Sequence, residues 1–169
     1  MTVFDGEWQE LLLQLGPEAF GGHDADRSLA FAHTYHLRGG REQTLRWAEK
    51  ARAAREKQLA DFPDDPGLNS LMGVSLAYLG RREEALAFGR EGIRLDEDLP
   101  QRVYQYLMLQ LVRIHILLGE QEPALDLLEP LLDVPLNLTP GWLSIDPMFD
   151  PLRDHPRFQA LLKKYDTEN

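Results

Sequence analysis

The sequence contains no cysteine, which excludes a disulfide framework, a thiolate nucleophile and any cysteine-bearing zinc site together. It also lacks a long apolar run. Nothing approaches the roughly eighteen residues that a membrane-spanning helix needs, so no membrane insertion is expected. The opening stretch MTVFDGEWQELLLQLG carries acids where a signal peptide is basic, and the apolar Leu11, Leu12 and Leu13 are too few for a signal-peptide core. A cytoplasmic location is the expectation. Basic residues are scarce beside acidic ones, 18 against 28, for a formal net charge of -10. A field of that sign repels a phosphate backbone, so nucleic acid is not expected as a partner.

Catalytic and cofactor motifs are absent as well. Gly21-Gly22 and Gly39-Gly40 have neither the GxGxxG nor the GxxxxGK[ST] context of a phosphate-binding loop. Ser28, Ser70, Ser75 and Ser144 lie in no nucleophile elbow, and no HExxH pattern occurs. No catalytic residue, no cofactor and no metal site is assigned. The one pair with a metal reading is His33 and His36, one helical turn apart, with Asp24 and Asp26 nearby as oxygen donors. Two imidazoles do not make a site, and the plainer reading is two locally hydrogen-bonded histidines. His115 has the spacing of a core position and His155 precedes a proline at a turn. Trp8, Trp47 and Trp142 read as core or cap anchors, and the runs Arg81-Arg82-Glu83-Glu84 and Arg52 to Lys57 as exposed, charge-paired helix faces.

What the chain has is average globular composition and self-similarity. At 169 residues, 43% hydrophobic and 27% charged, it suits one domain that buries about 70% of its unfolded surface. Three turns recur at Leu37-Arg38-Gly39-Gly40-Arg41, Leu79-Gly80-Arg81-Arg82 and Leu118-Gly119-Glu120-Gln121, with glycines separated by 41 and 39 residues. Four residues before each glycine stands a bulky residue, Tyr35, Leu76 or His115, and seven before stands Ala32, Gly73 or Val112. After each comes Thr44-Leu45, Ala85-Leu86 or Ala124-Leu125. The pattern is helix, turn, helix, three times, with glycine supplying the positive φ of a helix end.

Pro63-Asp64-Asp65-Pro66 and Asp96-Glu97-Asp98-Leu99-Pro100 separate the units, with Asp as the next N-cap. The expected organisation is one all-α domain. It comprises a leading helix in 1–22, repeats at 23–60, 66–99 and 102–134, and short C-terminal capping helices in 140–165. In the cap, Asp146-Pro147 and His155-Pro156 start turns whose apolar side is Phe149, Leu152, Phe158, Leu161 and Leu162. Trp8, Leu11, Leu12 and Leu15 share one face of the leading helix.

These residues resemble the tetratricopeptide repeat, best in the middle unit through Met72-Gly73, Leu76, Gly80, Ala85 and Gly92. The first unit matches through Ala32, Tyr35, Gly39 and Ala51, and the third through Gly119 and Ala124. The spacings exceed the family period of about 34, the mark of a degenerate subtype. The segment from Pro140 to Phe158 is similar to one that closes the repeat regions of bacterial eukaryotic-type Ser/Thr kinases, adenylate cyclases and related signalling proteins. The resemblance implies a right-handed helical-hairpin solenoid with no catalytic activity, a scaffold that binds a protein or peptide in its concave groove. By that resemblance the groove is lined by Asp26, Leu29, His33, His36, Leu37, Ser70, Val74, Ala77, Tyr78, Tyr106, Leu109, Arg113, Ile116 and Leu117. His33, His36, Tyr78, Tyr106, Leu109 and Arg113 are the candidate partner-binding residues among them. Of the residues that grip a chain-terminal carboxylate in some members, only Arg113 has a counterpart. A second copy of the chain, as a homodimer, is the alternative partner.

Overall fold

A helix that must reverse direction within three residues needs a left-handed residue and partners for its last carbonyls, and three segments of this chain meet both needs identically. In the computed structural model, Gly39, Gly80 and Gly119 have φ of +72, +73 and +76°. Their amides donate to the carbonyls of His36, Ala77 and Ile116, each at 3.0 Å. The amides that follow, of Gly40, Arg81 and Glu120, reach back to Tyr35, Leu76 and His115 at 2.8 to 3.0 Å. Each is a complete Schellman ending, and the bulky residues four before the glycines are its acceptors.

The structure describes residues 14–95, 100–133 and 138–166. The three turns join α1 (Asp24–Leu37) to α2 (Arg41–Asp61), α3 (Pro66–Tyr78) to α4 (Arg82–Arg94), and α5 (Gln101–Leu117) to α6 (Gln121–Leu132). A 3-10 turn, Pro17–Phe20, packs on α1. The cap consists of α7 (Pro140–Ile145), a second 3-10 turn (Pro147–Leu152) and α8 (Pro156–Asp166). Among the described residues there is no strand. The leading-helix residues Trp8, Leu11 and Leu12, and the connector residues Asp96 to Leu99, lie outside the described residues.

The N-termini follow from the same short-range chemistry. Asp65 Oδ1 accepts the amide of Leu68 at 2.7 Å, Thr139 Oγ1 that of Trp142 at 3.1 Å, and Asp146 Oδ1 that of Met148 at 2.8 Å. In each case a proline occupies the first position after the cap, where its missing N–H costs nothing.

Each hairpin packs on the next, and the helices meet in two cores. The first joins both early hairpins to Leu111 and Ile114 of α5. The second joins Val112 and Ile116 on another side of α5 to α6 and to Leu143, Phe149, Leu152 and Phe158 of the cap. Trp142 meets Phe149 edge-on at 5.6 Å, and Trp47 meets Phe31 at 4.7 Å, so both indoles anchor apolar layers. Arg157 of α8 reaches Glu122, Asp126 and Glu129 of α6, which fixes the outer side of the cap.

One element of the sequence reading is corrected. Arg55 was placed on an exposed charged face, but it is 1% exposed and pairs with Asp26 at 2.9 Å. The spacing Thr44, Ala48, Ala51, Arg55 puts it on the buried stripe of α2, where only an acid from the facing helix can offset its charge.

Helices α3 and α4 approach closely at Gly73. A Cβ on Gly73 would lie 2.7 Å from the Ala85 carbonyl oxygen, 2.8 Å from Ile114 Cδ1 and 2.9 Å from the Gly89 nitrogen. Gly73→Ala is therefore expected to cost about 1–3 kcal/mol and lower the melting temperature by roughly 3–10 °C. Gly141→Ala, whose added carbon would meet only Thr139 Oγ1 at 3.9 Å, should stay within about 0.5 kcal/mol of the parent. Thermal unfolding followed by circular dichroism separates the two.

Candidate functional site

The first helices of the hairpins, α1, α3 and α5, bring four polar side chains to one place. Tyr78 ends α3 and is buried, and its hydroxyl lies 2.7 Å from His33 Nδ1 and 2.7 Å from Arg113 Nη2. His36, one turn beyond His33 on α1, meets the Tyr78 ring edge-on at 5.4 Å. The Arg113 guanidinium sits 5.5 Å from the same ring centre. Three hairpins thus contribute to one network, and Tyr78 is its hinge.

Protonation follows from burial. His33 has its pKa pushed down to about 3, first by burial and then by the charges of Arg113 and His36. Burial and then Arg113 lower His36 from its ordinary value too. The Tyr78 hydroxyl is pushed up by burial, against the opposing pull of Arg113, and keeps its hydrogen. Both contacts are satisfied when Arg113 donates to the Tyr78 oxygen while the Tyr78 O–H donates to neutral His33 at Nδ1.

Besides a cavity of about 340 Å³ that His36 and Tyr78 line with Gly39, Arg41, Thr44 and Leu45, two more are lined by the candidate residues. The first, about 190 Å³, is lined by His33, His36, Tyr78 and Arg113 on one side and by Pro147, Met148 and Pro151 of the cap on the other. The second, about 210 Å³, lies at the other end of α5 between Tyr106, Leu109, Arg102 and Leu138. Tyr106 is 45% exposed, and its hydroxyl, pushed up chiefly by burial, also feels the charges of Arg113, Arg55 and Asp26. The six candidate residues therefore divide, His33, His36, Tyr78 and Arg113 at the cap and Tyr106 with Leu109 beside Leu138.

Other groove assignments are corrected. Leu29, Ser70, Val74, Ala77 and Ile116 are buried in the cores, because α3 is enclosed by α2, α4 and α5, and because Ile116 faces α6. Asp26 is engaged by Arg55. His115 is buried and bonds Glu120 at 2.6 Å, which in turn pairs with Arg82 of the preceding hairpin. His155 accepts the Arg157 amide at its turn. No three His, Asp or Glu side chains among the described residues come together as a metal-binding group. The part of the cap that faces His33 and Arg113 had no signal in the sequence beyond its prolines. In comparisons with family models, curated proteins and solved structures, the chain matches none.

Neutral His33 carries a pH signature. Its folded pKa lies below the ordinary 6.5, so the unfolded chain takes up a proton that the folded chain refuses. The stability this contributes is whole above pH 6.5 and is lost as pH falls toward 3. Between about pH 6 and pH 4 the parent should lose about 1 kcal/mol per pH unit more than His33→Gln. Urea unfolding at several pH values measures both slopes, and equal slopes would refute the buried neutral state.

Proposed function

We propose that this chain is a non-catalytic helical-repeat module of the tetratricopeptide type that binds a partner protein or peptide along the face formed by α1, α3 and α5. The observation that carries the reading is convergence: side chains from three successive hairpins, His33 and His36, Tyr78, and Tyr106 with Arg113, share one face. Binding across repeats needs just this, because one hairpin alone presents too little surface. Further support comes from the three identical turns and from a cap that covers the last apolar face, as a short solenoid requires. The resemblance of the closing segment favours bacterial signalling in the cytoplasm as the setting.

Along this face the apolar contact area is richest at the start of α5. Val103 and Tyr106 are 38 and 45% exposed, and Leu109 lines the cavity beside Tyr106. Aromatic side chains that present area at low entropic cost are the usual anchors of a protein interface. The same patch also supports a second reading, pairing with another copy of the chain.

Tyr106→Ala combined with Leu109→Ala should weaken partner binding by about thirty-fold, some 2 kcal/mol, with the helical signal in circular dichroism unchanged. Quantitative affinity purification of tagged parent and variant from the native cells, followed by titration of the recovered partner, measures it. Undiminished binding by the variant removes this patch from the interface. Light scattering across a concentration range decides the second reading, since a dimer that the same pair of substitutions dissociates identifies the partner as a second copy.

A further inference from the structure

Arg113, half-buried with a buried Nε, differs from the fully buried Arg55 in its charge partner. Arg55 is matched by Asp26, whereas Arg113 has no carboxylate within ion-pair distance among the described residues. Of its guanidinium nitrogens only Nη2 is engaged, by the neutral Tyr78 hydroxyl; Nε is buried with no acceptor, and Nη1 has none either. A buried donor left unpaired costs stability, more when it is charged.

The cavity beside Arg113 supplies the rest. Its walls carry one uncompensated positive charge, because His33 and His36 are neutral at pH 7 and Asp150, at the rim, is held by Arg153 at 2.5 Å. The opposite wall is apolar, built from Pro147, Met148 and Pro151 with Leu37 and Leu117. One cation and a short apolar wall in about 190 Å³ match a small monoanion with an aliphatic body. A dianion such as phosphate would bring two charges against one, with the Asp150 carboxylate alongside. We propose that the cavity between α1, α3, α5 and the cap binds a free short-chain carboxylic acid, its carboxylate on Arg113 and its hydrocarbon against Pro147, Met148 and Pro151. The cavity shares His33, His36, Tyr78 and Arg113 with the proposed partner face, but the two readings fail separately, because the partner test changes only Tyr106 and Leu109. Since the ligand touches both the hairpins and the cap, its binding also ties the cap to the groove.

Nuclear magnetic resonance on the full, isotope-labelled chain tests this, with sodium butyrate as the probe at constant ionic strength. Butyrate should shift the Arg113 Nε–H and the His33 and His36 ring signals saturably, and should raise the pH at which His36 titrates. Butyramide, of the same shape without charge, and inorganic phosphate should give no saturable shift. Arg113→Met, which keeps much of the side-chain length, should raise the butyrate dissociation constant at least about tenfold. Met148→Glu leaves Arg113 in place, sets a tethered carboxylate in the cavity and should abolish the response. A linear response, an equal response to phosphate, or a butyrate affinity unchanged in both variants overturns the proposal. So does saturation only by an acetylated, amidated peptide with a central glutamate, which would assign the carboxylate to a protein ligand.

Discussion

Helix α5 must satisfy two cores at once, and the rest of the architecture follows from how it does so. Leu111 and Ile114 belong to the core of the first two hairpins, while Val112 and Ile116 belong to the core of the third hairpin and the cap. At 3.6 residues per turn these stripes lie on different sides of the helix and leave one arc uncommitted. Tyr106 and Arg113 fall on that arc. The direction in which the polar face points is therefore set by apolar packing on its two flanks. That packing rests in turn on glycine, for Ile114 Cδ1 lies 2.8 Å from where a Cβ of Gly73 would stand and 2.6 Å from that of Gly89. A side chain at Gly89 would displace the tips of Ile114 and Leu111, and one at Gly73 would also strike the α4 backbone at Ala85 and Gly89.

Within this frame, the contacts between His33, Tyr78 and Arg113 act as a polar tie across three hairpins. Neutral hydrogen bonds contribute little net stability, about 1 kcal/mol each, yet a buried partner left alone costs more. The tie therefore specifies register more than it adds strength: a one-turn slip of α3 would strand the Tyr78 hydroxyl and expose His33 to a charge it cannot share. Asp26 with Arg55 does the same for α1 and α2, and Glu120, bonded to both His115 and Arg82, for the second and third turns. Each tie crosses between helices at a place where the apolar layers alone would allow sliding.

The helical hairpins were legible because their signals are local. Positive φ at Gly39, Gly80 and Gly119, the Asp65 cap and the Pro66, Pro140 and Pro147 starts need only a few neighbouring residues to be read. Arg55 was readable too, since it continues the stripe of Thr44, Ala48 and Ala51, but a charged residue there looks exposed until Asp26 is seen across the hairpin. The site was only half legible. Spacing brings His33, His36 and Arg113 to the first helices of their units, but it does not reveal that α3 is enclosed on several sides, which buries Ser70, Val74 and Ala77. Nor does it place the 3-10 turn Pro147–Leu152 against α5, because that contact joins residues about thirty apart in the chain.

Charge distribution gives the inner face a character that the total of -10 conceals. Many arginines are engaged by acids a turn away or on the neighbouring helix: Arg52 with Glu49 and Glu56, Arg81 with Glu84, Arg153 with Asp150, Arg157 with three carboxylates. These exposed pairs add little stability, about 0–1 kcal/mol each, but they cancel positive charge over the outer surface. Arg113 is shielded from such cancellation by its position between the hairpins and the cap. Beyond about 10 Å at ordinary ionic strength the acidic exterior is screened, so a small anion meets a repulsive field only during approach and an attractive one on arrival. Polyanions feel the repulsion in proportion to their charge and gain only one cation for it. This distribution thus favours a single carboxylate at Arg113 over any more highly charged ligand.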